Sequence, residues 1–125
     1  MDVDTAFLNA PITEDIWVQV PKGTHLSPGD NGIYKLKKSL YGLKQAPREW
    51  NQMINGVLLG MGFVPLEADP CIYKKTVRSL VNGIMKEQHY IIALYVDDLL
   101  IACSTPAMCN ELEKAFKKHF KMKIL

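Results

Sequence analysis

The chain has 125 residues, which is enough for one modest domain and too few for two ordinary ones. Hydrophobic residues make up 48% and charged residues 22%, a balance that excludes an intrinsically disordered chain. The net charge of +2 is too small to indicate a nucleic-acid partner by itself.

The first half of the chain carries two short strand patterns and one helix pattern. Apolar residues alternate with other residues over 16–20, which predicts a short strand. Turn-forming residues fill 24–32 and predict a surface loop, and a second short strand is predicted over 33–36. Apolar side chains recur three and four positions apart over 46–59, and Pro47 suits a first helical turn, so a helix is predicted there.

The second half predicts further strands and a final helix. Residues 63–70 look irregular, and a brief strand over 71–74 is expected to pair with residues 80–85, which a turn at 82–83 interrupts. Two apolar stretches, 90–96 and 99–103, are separated by two aspartates and predict a hairpin. A cap at 104 or 105 followed by Pro106 begins the last helix. The sum is an α+β fold, with helices on one face of a largely antiparallel sheet.

The apolar runs and the cysteines of the sequence bear on its cellular setting. No apolar run approaches the roughly 18 to 20 residues of a membrane helix, and the first residues do not resemble a signal peptide, so we expect no membrane partner. The three cysteines are widely spaced and form no C-x-x-C pair, which favours a reduced, intracellular setting.

Asp97 and Asp98 interrupt the most hydrophobic stretch of the chain, residues 90–103. Burying charged groups without partners is expensive, so paired acids between two core strands indicate a bound cation. The alternative is a solvated hairpin tip, because aspartate is common in tight turns. From these two residues alone, both interpretations stay open.

Asp2 strengthens the cation interpretation. Carboxylates that are distant in sequence but meet at one end of a sheet can hold two Mg²⁺ ions about 4 Å apart, the arrangement with which polymerases activate a 3′ hydroxyl. Such hard cations take oxygen ligands, which agrees with the lack of a His/Cys cluster in the sequence.

A basic run over residues 35–48 contains five cations: Lys35, Lys37, Lys38, Lys44 and Arg48. It contains no acid before Arg48 and is interleaved with Tyr34, Tyr41 and Trp50, a pattern typical of nucleic-acid surfaces. The alternative is a solvated basic surface on which Trp50 is a core residue. The lysines near the C-terminus are interpreted as a solvated helix face: Lys114, Lys117, Lys118, Lys121 and Lys123.

Four segments together resemble a known family. They are DVDTAFLN at 2–9, YKLKKSLYGLKQAPREW at 34–50, DPCIY at 69–73 and YVDDLLIA at 95–102. In order and spacing they are similar to the reverse transcriptase of copia-type LTR retrotransposons, and the similarity spans essentially the whole chain. The run at 40–50 is far more specific than a two-acid turn.

The resemblance implies part of a right-hand polymerase, a partial reverse transcriptase domain over 1–125, with a fingers-like insertion at about residues 12–45 and the palm in the remainder. It implies catalytic roles for Asp2, Asp97 and Asp98, and these residues with the Val3 carbonyl would hold two Mg²⁺ ions, or Mn²⁺ in their place.

The resemblance also implies substrate contacts. The nucleotide-binding residues would be Phe7, Tyr41, Gly42 and Lys44, and Phe7 falls where the family has the aromatic residue that blocks a ribose 2′-hydroxyl. The residues that would contact nucleic acid are Lys35, Lys37, Lys38, Arg48 and Tyr95.

The implied reaction is RNA-directed DNA synthesis, the transfer of deoxynucleotides to a primer 3′ hydroxyl. The implied partners are an RNA or DNA template with its primer, deoxynucleoside triphosphates and the remainder of a Pol polyprotein. The implied location is the cytoplasm, in a virus-like particle, with the nucleus as a second site. We expect the sequence to be truncated at both ends relative to the family. A non-catalytic relic, nucleic-acid-binding or inert, therefore stays open as the alternative.

Two acids near the N-terminus carry further expectations. Asp4 stands where the family often has lysine or another polar residue, so it is assigned no role, and an extra acid there could compete for metal. Asp2 lies next to the terminus without the strand that precedes it in the family, so we expect it to fray.

Overall fold

The computed structural model describes all residues from 1 to 125. The chain forms eight strands and three helices, which follow in this order: β1 Asp2–Val3, α1 Ala6–Asn9, β2 Trp17–Gln19, β3 Ile33–Lys35, α2 Ala46–Gly60, β4 Val64–Pro65, β5 Ile72–Val81, β6 Ile84–Tyr95, β7 Asp98–Cys103, α3 Pro106–Phe116 and β8 Met122–Lys123.

Six of the eight strands form one sheet in the order β4-β5-β6-β7-β1-β8, and β2 and β3 form a separate two-stranded sheet. Every pairing between strands is antiparallel. The predicted α+β class with an antiparallel sheet is therefore confirmed. The smaller sheet lies within residues 12–45, so this part of the chain does not extend the main sheet.

The core lies on one face of the main sheet. Apolar side chains on alternate positions of β5, β6 and β7 are buried together with the inward faces of α2 and α3. The buried residues of the two helices include Trp50, Ile54, Leu58, Leu112 and Phe116. The opposite face of the sheet stays open, with Tyr95 79% and Leu100 77% exposed. The helices thus cover one face, as the apolar spacing predicted.

The two long helices begin where their local signals place them. Pro47 lies in the first turn of α2, and the helix runs through Gly60, one residue beyond the prediction. Thr105 is the N-cap of α3, and its hydroxyl accepts a hydrogen bond from the Met108 N–H. No helix is both long and apolar enough to cross a bilayer.

The hairpin of β5 and β6 differs from its prediction. β5 continues for ten residues, and its first part pairs with the far end of β6, as in Tyr73 with Ile92, rather than with residues 80–85. Asn82 and Gly83 do not interrupt a strand but form the two-residue turn of this hairpin, with φ of 52° and 77°. Asn-Gly suits a turn that needs positive φ at both central positions. Residues 63–70, predicted to be irregular, also contain β4.

The end of the chain contains a strand that was not predicted. β8 pairs with β1, with Asp2 opposite Lys123 and Val3 opposite Met122. On its other side β1 pairs with β7, so β1 lies inside the sheet. The expectation that Asp2 frays is therefore wrong, because two neighbouring strands hold its backbone.

Candidate active site

The sheet brings two of the predicted carboxylates opposite each other. Asp2 on β1 pairs with Asp98 on β7, and the pair is flanked by backbone bonds from Val3 N to the Asp97 carbonyl at 2.9 Å and from Leu99 N to the Met1 carbonyl at 2.7 Å. This pattern makes Asp2 and Asp98 a non-hydrogen-bonded pair, the kind in which cross-strand side chains come closest. Like charges at such positions repel, so the pair gains from a cation.

Asp97 lies in the turn that joins β6 to β7. The turn consists of Val96 and Asp97, and Tyr95 pairs with Asp98 across it. The predicted hairpin is confirmed, but its turn is one residue earlier than the two aspartates suggested, since Asp98 already belongs to β7. All three predicted catalytic residues therefore lie at one end of the sheet.

The side chains do not form a preassembled metal centre. No group of three or more His, Cys, Asp or Glu residues is arranged so that it can hold a metal ion. Like charges on neighbouring carboxylates repel, so a bound cation would favour their approach. The Val3 carbonyl points to the same side of β1 as its N–H and accepts no bond from the Asp97 N–H, so this oxygen has no partner in the turn.

The Asp4 carboxylate forms ion pairs with two lysines. Its carboxylate lies 2.9 Å from the Lys123 Nζ and 3.4 Å from the Lys121 Nζ. The hydrogen bond from Lys123, helped by the charges of both lysines, holds the pKa of Asp4 below its ordinary value, and the same contact raises the pKa of Lys123. Lys121 and Lys123 therefore belong to β8 and its approach, not to a solvated helix face, and the expected competition of Asp4 for metal is not supported by its contacts.

The ion pairs of Asp4 should make the attachment of β8 depend on pH. Because folding lowers the pKa of Asp4, its contribution is present above the unfolded pKa near 4 and is lost as the pH falls through the folded value. We expect wild type to resist urea better than Asp4→Asn at pH 7 and the difference to shrink as the pH is lowered to about 2.5. Asp15→Asn, which removes a more exposed carboxylate, is the control and should have a smaller effect. A gap between wild type and D4N that is the same at both pH values would contradict the assignment.

Two of the predicted nucleotide-binding residues touch each other. The rings of Phe7 on α1 and Tyr41 lie with centroids 4.6 Å apart at 53°. Gly42 follows with φ of 93°, a backbone conformation that favours glycine, and Lys44 is exposed just before α2. The structure therefore places the YGLK segment beside the start of the chain.

The predicted nucleic-acid contacts are exposed but not equivalent. Lys37, Lys38 and Arg48 extend into solvent. Lys35 lies 2.5 Å from the Asp15 carboxylate, an acid contributed by the segment before β2, so its charge is partly neutralised. Asp15 lies outside the basic run of residues 35–48, so the composition of that run did not indicate this pair.

Trp50 is the aromatic residue for which the core interpretation is correct, since it is only 2% exposed. It also has a contact that the sequence does not signal: its indole Nε1 donates to the Val96 carbonyl at 2.6 Å. A mostly apolar cavity of about 290 Å³ lies beside this contact and is lined in part by Phe7, Trp50, Tyr95 and Val96.

The chain resembles known proteins over its whole length. The family model described as reverse transcriptase (RNA-dependent DNA polymerase) matches residues 1–125. The chain is 36% identical over 126 residues to the retrovirus-related Pol polyprotein from transposon TNT 1-94 of Nicotiana tabacum, covering 100% of this chain and 9% of the relative. It is 38% identical over 125 residues to a protein assigned to transposon Ty5-1 of Saccharomyces cerevisiae, covering 100% of this chain and 38% of the relative.

A third relative is the retrovirus-related Pol polyprotein from transposon RE1 of Arabidopsis thaliana, with 34% identity over 123 residues, covering 98% of this chain and 8% of the relative. No solved structure matches. The chain spans well under half the length of each of these curated relatives. The resemblance to copia-type retrotransposons is confirmed, and the chain belongs to the reverse transcriptase (RNA-dependent DNA polymerase) family.

Proposed function

We propose that this chain carries the catalytic carboxylates of an RNA-directed DNA polymerase within a retrotransposon Pol polyprotein. The observation that carries the proposal is the cross-strand pairing of Asp2 with Asp98, with Asp97 adjacent in the turn. The like charges of Asp2 and Asp98 on neighbouring strands destabilise their pairing, so folding alone does not favour placing them opposite each other.

The donor set fits hard divalent cations. Asp2, Asp97, Asp98 and the Val3 carbonyl offer only oxygen atoms, which are the ligands that Mg²⁺ and Mn²⁺ prefer. When bound, two such ions would activate the primer 3′ hydroxyl and stabilise charge on the leaving pyrophosphate. The role of this chain is to fix the carboxylates on strands that neighbouring strands already hold in place.

The Phe7 and Tyr41 pair supports a pocket for the incoming deoxynucleotide. Two rings in contact form a rigid wall. In this proposal Phe7 lies against the sugar and excludes a 2′-hydroxyl, while the turn at Gly42 and the charge of Lys44 lie toward the phosphates. Phe7 borders the same end of the sheet as the hairpin turn, since it lines the cavity that Tyr95 and Val96 also line.

The exposed cations fit a template and primer. Lys37, Lys38 and Arg48 would contact phosphates, and the 79% exposed ring of Tyr95 would lie against the duplex beside Asp98. Lys35 would take part only after its pairing with Asp15 is broken.

The separate sheet of β2 and β3 supports treating residues 12–45 as a fingers-like part and the six-stranded sheet as palm. This part is linked to α2 by the hydrogen bond from Thr13 to Glu49 at 2.9 Å, and Gln45, the N-cap of α2, donates to Glu14 at 2.8 Å. The relatives are much longer than this chain, so we include the remainder of a Pol polyprotein among the partners, and a virus-like particle as the setting.

Metal binding by the 125-residue chain tests the proposal. In Mn²⁺ titrations followed by electron paramagnetic resonance, we expect Asp98→Asn to weaken binding on the order of tenfold, or about 1.4 kcal/mol, because the amide keeps the shape but loses the charge. Glu67→Gln, an exposed acid in the loop before β5, is the matched control and should bind like wild type. Equal affinity in all three proteins, or no binding in any, would favour the non-catalytic relic.

A further inference from the structure

The turn that carries Asp97 has a backbone conformation that its sequence does not favour. Val96, the first of its two central residues, has φ of 54°, while Asp97 does not have a positive φ. This combination is used by type II′ hairpin turns, in which glycine is the usual residue at the first position. A β-branched residue with positive φ is a clear outlier, so contacts around the turn must hold it there.

Trp50 provides one of those contacts. Its indole Nε1 donates to the Val96 carbonyl at 2.6 Å, across 46 positions of sequence. The ring is buried in the core and packs edge-on against Phe120, with centroids 5.3 Å apart at 70°. Because the core fixes the ring, the direction of its N–H is fixed as well.

The next carbonyl of the turn is fixed from the other side. The Asp97 carbonyl accepts a hydrogen bond from Val3 N at 2.9 Å, on the strand that carries Asp2. Two consecutive carbonyls of the turn are thus held by different elements, α2 and β1. Loss of either bond would remove one of the contacts that hold Val96 at its positive φ.

We propose that Trp50 is a positioning residue, whose indole N–H holds the strained Val96 turn so that Asp97 and Asp98 stay next to Asp2 at the end of the sheet. Trp50, only 2% exposed, acts through the backbone of the turn. The catalytic consequence rests on the proposed function, whereas the effect on the turn does not.

The test is a double-mutant cycle in the 125-residue chain. Trp50→Phe keeps an aromatic ring in the core but removes the donor, and Val96→Gly places glycine where positive φ carries no strain. We expect W50F alone to shift the amide resonances of residues 96–98 and to weaken Mn²⁺ binding by about 10- to 100-fold, as loss of an outer-shell partner does. In the V96G background the same substitution should have much less effect. A ring that served packing alone would give equal losses in both backgrounds.

Trp17→Phe is the matched control, because Trp17 is exposed and distant in sequence from the turn, and it should change neither readout. If wild type binds no Mn²⁺, the metal proposal fails while the amide shifts of W50F still decide the role of Trp50. Unchanged shifts at 96–98 in folded W50F would overturn the inference.

If W50F does not fold, hydrogen exchange and a Mg²⁺ titration of the wild-type chain test the role of Trp50. We expect the Trp50 indole N–H to exchange with solvent much more slowly than that of Trp17 and to shift during a Mg²⁺ titration together with the Asp97 and Asp98 amides. Exchange of Trp50 as fast as that of Trp17, or an indole resonance that ignores a titration in which those amides move, would show that the bond does not hold the turn.

Discussion

Asp97→Asn is expected to abolish deoxynucleotide incorporation by a chimera in which residues 1–125 replace the homologous segment of the TNT 1-94 polyprotein. The Asp97 side chain makes no hydrogen bond or ion pair within the chain, and its backbone carbonyl keeps the bond from Val3 N after the substitution. The change therefore removes a charge without removing a structural contact. In the proposed function Asp97 binds metal, so its loss should forfeit several kcal/mol of transition-state stabilisation, and about 4 kcal/mol corresponds to about 10³-fold in rate.

Primer extension on a homopolymer template with Mg²⁺ or Mn²⁺ measures this loss. Glu67→Gln in the same chimera is the matched control and should extend primers like the parent, because Glu67 is exposed in the loop before β5. Thermal unfolding of both variants shows whether the fold is intact. Incorporation by folded D97N within a few-fold of the parent would remove Asp97 from the mechanism.

Local periodicity accounts for the elements that the sequence predicted well. The three- and four-residue spacing in α2 and the Thr105-Pro106 start of α3 are properties of short segments, so they survive in the fold almost unchanged. The pairing partner of residues 71–74 could not be obtained in this way. That partner depends on the turn at Asn82-Gly83 joining two long strands, and the turn signal was interpreted as an interruption.

The sequence of β8 contains a strand pattern that was not used to predict a strand. Phe120, Met122 and Ile124 alternate with Lys121 and Lys123, a period of two directly after a helix. Only the contact with β1 makes this short segment a strand, and that contact spans nearly the whole chain. The attachment of Asp2 therefore depends on a non-local pairing, and reasoning from its terminal position gave the wrong result.

In the candidate site, too, some features were predictable from the sequence and others depend on the fold. The resemblance identified the three aspartates, and the sheet brings their backbones to one end. The role of Trp50 in holding Val96 was not predictable, because a helical tryptophan with apolar neighbours has the pattern of any core residue. The pairing of Lys35 with Asp15 was missed because the acid lies 20 positions earlier, on the segment that precedes β2.

The second prediction concerns the 125-residue chain by itself, which we expect to extend no primer under conditions in which the chimera does. Positioning of the reacting groups supplies roughly 7 to 11 kcal/mol in well-oriented reactions. Here the face of the sheet that carries Tyr95, Asp98 and Leu100 is open, with no other part of the chain lying across it. Template, primer and nucleotide would meet the carboxylates in many registers, few of them productive.

We expect the 125-residue chain to bind nucleic acid weakly and with strong salt dependence. Lys37, Lys38, Lys44 and Arg48 are exposed, and four phosphate contacts on duplex DNA would give a slope of log affinity against log salt of about −3.6. Fluorescence anisotropy over a salt series should show Lys37→Gln with Lys38→Gln reducing the slope by about 2, while Lys114→Gln on α3 leaves it unchanged. Primer extension by the wild-type 125-residue chain that disappears in D97N would overturn the prediction that this chain alone extends no primer. It would show that the open sheet face already orients its substrates.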